Sequence, residues 1–503
     1  MKIAGEGETA LLARRLAERF DSVELADRLG AAFLFRRTGG AALILVDAAL
    51  RLEAKGGEAV LTALSDGGEA LLAPLAARLA ANLVAREPRR LALRYDRCDD
   101  PDEAVRAAAP SALDPLRALV SAIRPADRDE RFALVAMGLV GFDHVDMVEA
   151  LPPAAPGDFP DLVFVVPETL VVVEPGGASR VLSLAAGDSD EARARRLYHL
   201  ATERLVKTVA RCELPAPPRE EAPPPRSEAV PDLDDAAFAG VVARLKEHVA
   251  AGDIFQAVPS RAFRAPCDDP AAAFRRLVAA DPSAYQYRFD TGHGTLFGAS
   301  PETAVEIRRE GEARKVIVRP IAGTRPRGAT GDEDDRLEAD LRLDQKENAE
   351  HMMLVDLARN DVARVAIPGT RRVTRLLDTL RFRRVMHLES TVEGELPGDA
   401  DAIDVIRTCL NVGTLSGAPK LSAIDLIRRV EASPRGPYGG AIGYLTGDGA
   451  MDTAVVIRSA LVRGGVAEVR AGAGVVADSV PLAEAAETRA KASAVLAAIG
   501  AVA

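Results

Sequence analysis

The sequence predicts an α+β fold, with large, mixed but mainly antiparallel sheets packed with helices. Three observations carry this. Apolar runs of strand length come in series, and the helical stretches are segregated between them instead of alternating one for one. A hairpin signal, Pro175-Gly176-Gly177, sits between two Val-rich runs. At 503 residues the chain is too long for one simple core, so it forms two lobes or one large composite domain.

In chain order, A-A-L-I-L-V-D (41–47) and residues 59–65 read as strands. Leucines and alanines at helical spacing predict a helix over 68–86. D-L-V-F-V-V and E-T-L-V-V-V-E-P-G-G-A-S-R-V-L-S-L form the hairpin, and a helix over 189–211 closes a front lobe of residues 1–212. Residues 213–233 hold seven prolines without apolar periodicity, which predicts an extended, mobile linker. Residues 234–503 form the second unit. It opens on a helix capped by Asp234 or Asp235 and ending near Gly252. Strands follow at I-F-Q-A-V-P-S-R-A-F, 285–289, T-L-F-G-A-S-P-E, V-M-H-L-E-S-T-V-E-G, Y-G-G-A-I-G-Y and D-T-A-V-V-I-R-S-A-L. Between and after them come helices over 344–361, 400–410, 419–431 and 482–499.

The charge balance, 64 Lys+Arg against 75 Asp+Glu, gives −11, and the pI is near 5.3. No basic run of five exists, and with no Trp and six Tyr little is available for base stacking; both argue against nucleic acid. The N-terminal residues have no apolar h-region, and no window nears 18 uninterrupted apolar residues, so a cytoplasmic protein without membrane segments is expected. Cys98, Cys212, Cys267 and Cys409 lack CxxC spacing, which implies neither zinc nor a disulfide framework.

The chemistry concentrates around the helix 344–361. Glu347 and Glu350, three apart, lie on one face of it. Either they are a solvated acidic face paired with Lys346 and Arg342, or they hold a cation. A second pair at the same spacing, Glu484 and Glu487, favours the cation: two such pairs across a cleft make an all-oxygen site suited to Mg²⁺. G-T-L-S-G-A-P-K (413–420), running into a helix, is a candidate anion cradle. It is not a P-loop, because Pro419 precedes Lys420 and Leu421 follows it. Arg458, within the apolar run V-V-I-R-S-A-L, either pairs inside the fold or aims its fork at a ligand carboxylate. Lys491, four residues after Glu487, is a salt-bridge partner or a substrate contact. His387 sits where a histidine is more often a satisfied core residue than a functional one, Glu302 where a carboxyl of raised pKa could act as general acid, and Gln256 could equally be a site residue or an interior hydrogen-bonding one.

Taken together, I-F-Q-A-V-P-S-R, G-A-S-P-E, P-I-A-G-T-R-P-R-G, A-E-H-M-M-L-V-D-L-A-R-N-D, V-M-H-L, G-T-L-S-G-A-P-K, Y-G-G-A-I-G-Y and A-G-A-G-V-V-A-D-S resemble the chorismate-utilising enzymes, and among these the large, synthase subunits (component I) of the anthranilate synthases. The resemblance is dense over 234–500 and thinner in the front lobe. It implies Mg²⁺ held by Glu350 and Glu487, with Glu347 and Glu484 close by, and bound to the ring carboxylate of chorismate. Arg458 and the backbone at Gly474 would take the enolpyruvyl carboxylate, with Thr324, Thr414, Tyr438, Gly472 and Lys491 also contacting substrate.

Gln256 stands where water-adding relatives carry a lysine base, and Ala322 where aminodeoxychorismate relatives carry a lysine nucleophile. The resemblance therefore implies direct attack of ammonia at C2, Glu302 protonating the departing C4 hydroxyl, and loss of pyruvate from 2-amino-2-deoxyisochorismate at His387. This is the first step of tryptophan biosynthesis. An enzyme stopping at that intermediate, and a non-catalytic regulatory homologue, are the alternatives. No G-x-C-x-G elbow surrounds any cysteine, so ammonia comes from solution or from a separate glutaminase subunit, which implies a hetero-oligomer. The resemblance also implies a tryptophan site in the front lobe, degenerate here. Arg36 and Arg37 replace an expected Glu-Ser, and Gln286, beside Tyr285, replaces a Met. Two guanidinium groups there would repel an ammonium, so weak or absent tryptophan inhibition is expected.

Overall fold

The computed structural model describes residues 4–127, 129–152, 154, 156–215, 224, 226–383 and 385–502, with the side chains of 103 and 104 left aside. Hydrogen-bonded pairings join 23 strands into one network. All pairings in it are antiparallel except that of Glu8–Arg15 with Arg124–Pro125. Among the described residues no helix is long and apolar enough to cross a membrane. All four cysteines are free.

The front stretch centres on Ala42–Lys55, which pairs with Glu58–Ala63 on one side and with Leu162–Val173 on the other. Leu162–Val173 is buried along its whole length and forms the expected hairpin with Ser179–Ala186. The helix expected over 68–86 stops early. It spans Asp66–Arg78, and Leu83–Glu87 is an edge strand against Arg90–Arg94. Apolar spacing could not separate these, because Leu83 and Val84 fit either period.

Two seams make the front and rear stretches one sheet. Phe33–Arg37 pairs with Tyr285–Asp290, and Val135–Val140 pairs with Ala441–Thr446. Across the first, Phe33 and Phe289 stack at 4.3 Å. Burying each such ring is worth roughly 1.5–3 kcal/mol, and pairing adds about 0.5–1.5 kcal/mol. Of the Pro-rich linker, residues 216–223 and 225 lie outside the described residues. Its end is not free chain: Ser227–Glu228 runs parallel to Ala501–Val502, and Val230–Pro231 pairs with Ser260–Pro266.

Two helices bring the glutamate pairs to the sheet. Gln345–Val365 starts on Asp344, whose carboxylate accepts from the Lys346 and Glu347 N–H groups at 2.9 and 3.1 Å. Pro481–Ile499 opens on proline and stops at Gly500, φ +84°. Its inner face, Ala485, Thr488, Ala492 and Val495, is buried, which turns Glu484, Glu487 and Lys491 to the neighbouring face. Buried Arg261 pins that helix, donating to Thr488 Oγ1 at 2.9 Å and to the Ala485 carbonyl at 2.8 Å.

Candidate active site

A cavity of about 580 Å³ opens between these two helices and the sheet. Its walls hold Glu347 and Glu350 from one helix and Glu484, Glu487 and Lys491 from the other. The strands and the turns between them supply Gln256, Glu302, Thr324, His387, Thr414, Tyr438, Arg458, Gly472 and Gly474. Every catalytic, substrate and metal position expected from the sequence thus faces one space.

The carboxylates interact. Burial pushes the Glu347, Glu350 and Glu484 carboxyls above their usual range, and the charge of Glu487 pushes each further. Burial also opposes the Glu487 carboxylate, but the Lys491 ammonium, 2.6 Å away, outweighs it and holds that group low. Repulsion between anions on two helices is relieved by a cation between them. The donors are all oxygen, which fits a hard divalent ion. Among the described residues no three His, Cys, Asp or Glu side chains stand in ligating geometry. An ion here would therefore take one or two carboxylates and complete its shell with water and substrate, as Mg²⁺ commonly does.

Gln256 and Gly474 set the backbone limit beside Glu350. Gln256 Nε2 donates to Glu350 Oε1 at 3.1 Å, and a Cβ on Gly474 would sit 2.8 Å from that nitrogen. Gly323, φ +78°, similarly lets the strand Ile321–Pro326 pass Glu347.

Glu302 is buried at the start of Thr303–Glu310. Burial pushes its carboxyl up to about 7, against the Thr414 hydroxyl that donates to Oε1 at 2.7 Å. His387 is pushed by burial down to about 4, against the bond of Nδ1 to the Gly323 carbonyl at 2.9 Å. The ring is thus neutral near pH 7, with Nδ1–H donating and Nε2 carrying the lone pair. It lines the cavity and is not the core residue its apolar neighbours suggested.

Arg458 departs from expectation in its backbone. The run V-V-I-R-S-A-L is two strands, Met451–Val455 and Ser459–Arg463, broken at Arg458 with φ +49°. A non-glycine residue held there costs on the order of 1–3 kcal/mol, and such residues cluster at active sites and ligand clamps. Its Nη1 donates to the Lys491 carbonyl at 2.8 Å, and burial lowers its pKa. Among the described residues no carboxylate forms an ion pair with it. Lys491 is both things its spacing allowed: Nζ pairs with Glu487 and donates to the Gly472 carbonyl at 3.0 Å.

The anion-cradle expectation at 413–420 holds only in part. Thr414 and Leu415 line the cavity, but the helix start does not. Lys420 turns away to the buried carboxylate of Asp361, 3.0 Å from both oxygens.

The front-lobe expectation needs correction. Arg36 and Arg37 do lie across from Gln286 and Tyr285 in register. Adjacent strand residues point to opposite faces, however, so the two guanidinium groups do not share a pocket. Arg36 reaches Asp21 at 3.3 Å, whereas Arg37 sits between Glu306 and Asp452 at 3.1 and 3.0 Å. Neither presents a bare cation. The sequence reading also missed Arg325, which holds Asp340 and Asp344 at 2.8 and 2.7 Å, and Arg470, which lines the cavity while bound to Ser260. Nothing in the spacing of either residue marked it.

The site is a cleft between two glutamate-bearing helices on an antiparallel sheet, with the guanidinium groups of Arg458 and Arg470 at its wall. The model of the chorismate binding enzymes matches residues 78–497, and the chain belongs to that family, on the branch of anthranilate synthase component 1. It is 44% identical over 466 residues to anthranilate synthase component 1 of Vibrio cholerae, covering 91% of this chain and 88% of the relative. It is 45% identical to the pyocyanine-specific component 1 of Pseudomonas aeruginosa, covering 91% and 86%. The crystal structure of anthranilate synthase component I from Streptococcus pneumoniae superposes with a TM-score of 0.72 at 29% identity, covering 91% of this chain and 92% of that one. The menaquinone-specific isochorismate synthase of Escherichia coli, at 17% identity and a TM-score of 0.70, covering 99% and 96%, shares the fold.

Proposed function

We propose that this chain converts chorismate and ammonia to anthranilate and pyruvate through 2-amino-2-deoxyisochorismate, opening tryptophan biosynthesis, with Mg²⁺ as cofactor and a separate glutaminase component as ammonia source. The observation that carries the reading is Arg458: a guanidinium at the cavity wall, strained in backbone and, among the described residues, in no ion pair with a carboxylate, in a cavity that also holds Glu347, Glu350, Glu484 and Glu487. Chorismate is a dianion. One carboxylate suits the Arg458 fork, while the other needs a cation to approach the glutamates. Glu350 and Glu487 would hold Mg²⁺, with Glu347 and Glu484 beside them, and bound there the ion supplies charge neutralisation and Lewis acidity at the ring carboxylate.

Ammonia attacks C2 while the C4 hydroxyl leaves. Glu302, with a carboxyl near pH 7 and Oε1 already occupied by Thr414, supplies the proton from its other oxygen, so that water departs. Gln256 is neutral, and Ala322 offers no amine, so neither activates water nor forms a covalent link. In the second half, C2 gives up its proton and the enolpyruvyl C–O bond breaks. His387 takes that proton, and Nε2 is the nitrogen that can, because Nδ1–H is spent on the Gly323 carbonyl. The departing enolate takes a proton at its methylene carbon, from the His387 imidazolium or water, to become pyruvate, and the ring becomes aromatic.

Purified chain, chorismate, Mg²⁺ and an ammonium salt at alkaline pH should give anthranilate fluorescence without a partner. Salicylate or isochorismate as main product, or glutamine turnover by the isolated chain, would refute the reading.

A further inference from the structure

The outer face of the helix bearing Glu347 and Glu350 is partly uncovered, with Met352 exposed above buried Val355. Met352, Val355 and Arg359 form one side of a groove of about 270 Å³. The strand Arg372–Arg381 forms the other, through Val373 and Leu376. Met352 is 39% and Leu376 49% exposed, although both are large and apolar. Among the described residues that strand pairs only with Val385–Glu395, so its other edge is open. Natural edges are normally blunted because an open, apolar one templates another chain.

This edge also carries cations, in a chain of net charge −11. Arg371 and Arg372 stand at the groove, and among the described residues no carboxylate pairs with either. The edge is tied to the catalytic side as well. Leu377, held at φ +58°, donates its N–H to Ser390 Oγ at 3.0 Å, and that oxygen lies 2.6 Å from Nε2 of His351, the neighbour of Glu350.

We propose that this groove and strand edge are the docking surface of the ammonia-supplying component, which would present an extended apolar segment flanked by carboxylates. Strand addition supplies backbone bonds, Val373, Leu376 and Met352 supply apolar contact, and Arg371 and Arg372 select an acidic rim. One helix, about 10 Å thick, separates such a partner from the carboxylates of the cavity. The identity of the partner rests on the function proposed above; the surface does not.

The test is sedimentation of the full chain with the glutamine amidotransferase component of the same organism, beside activity assays with ammonium and with glutamine. Leu376→Glu, and separately Arg371→Glu with Arg372→Glu, should raise Kd at least about tenfold, the scale of one lost interface anchor. Glutamine-supported synthesis should fall in step, while ammonium-supported synthesis stays within about twofold. Val84→Glu, at an exposed apolar site in the front stretch, should leave Kd unchanged. Wild-type affinity in both groove variants, equal weakening by Val84→Glu, or no complex with the wild-type chain overturns the proposal. Failure of ammonium to support anthranilate formation sinks the function instead, while sedimentation still decides the surface.

Discussion

Glu302 and Glu306 lie just four residues apart, at and beyond the start of one strand, yet their surroundings drive them in opposite directions. Burial pushes Glu302 up to about 7. Glu306 is buried too, but Arg319, Arg37 and Arg308 outweigh burial and hold it at about 2. The arginines repeat the contrast. Burial opposes the charge of Arg37, but Asp452 and Glu306 raise its pKa, whereas Arg458 is lowered by burial and has no such pair. At the seam between front and rear stretches, charge is internally balanced. In the cavity Arg458 has no ion pair among the described residues and Glu302 stays raised, as the dianion, cation and proton transfer of the proposed function would require.

The largest effect should separate the two glutamates. Glu302→Gln removes the acid and should slow amination by about 10²–10⁴ with the melting temperature nearly unchanged. Glu306→Gln should do the reverse, leaving turnover near wild type while unpaired arginines cost on the order of 3–5 kcal/mol in denaturant unfolding. Equal loss of activity in both would erase the distinction.

Next come the arginines. Arg458→Met should lower kcat/KM for chorismate by roughly two to three decades, since a desolvated charge partner is worth about 2–5 kcal/mol. Arg37→Met should register in stability first. Steady-state kinetics beside thermal melts discriminate between these outcomes.

His387→Met should slow pyruvate loss more than amination, so that the aminated intermediate appears in chromatograms of the reaction. If wild type itself released that intermediate without pyruvate, the chain would stop halfway.

The pH dependence sharpens the same contrast. Glu302 must be protonated to act, so the rate per free ammonia should decline as pH rises through about 7. Glu306 has a depressed folded pKa, so its stabilisation is present above the ordinary value of 4.5 and is lost as pH falls towards about 2. Activity profiles at fixed free ammonia and acid-unfolding curves read the two limbs separately.

The smallest expected effect concerns tryptophan. Arg37 already occupies Glu306 and Asp452, and Arg36 reaches Asp21, so an incoming ammonium would have to displace an arginine from any of these carboxylates. Titration against ammonia-dependent activity should show no inhibition at low micromolar tryptophan. Inhibition there would mean that the seam opens to ligand.

Much of this molecule was legible in one dimension, because some information is local. The period of apolar residues gave the sheet-rich class, Asp234 or Asp235 marked the start of the helix Asp235–Ala251, and i,i+3 spacing put Glu347 with Glu350 and Glu484 with Glu487 on single faces. What depends on a partner far along the chain was not legible. That Arg37 meets Asp452, 415 residues away, while Arg458 meets no carboxylate among the described residues, follows from strand register. The left-handed turn that breaks the strand at Arg458 is likewise set by the space around it and not by its apolar neighbours. Residue type fixes which charges a chain can offer. Only packing fixes which of them are neutralised from within and which are left for a ligand, because desolvation and pairing depend on distances that sequence spacing does not encode.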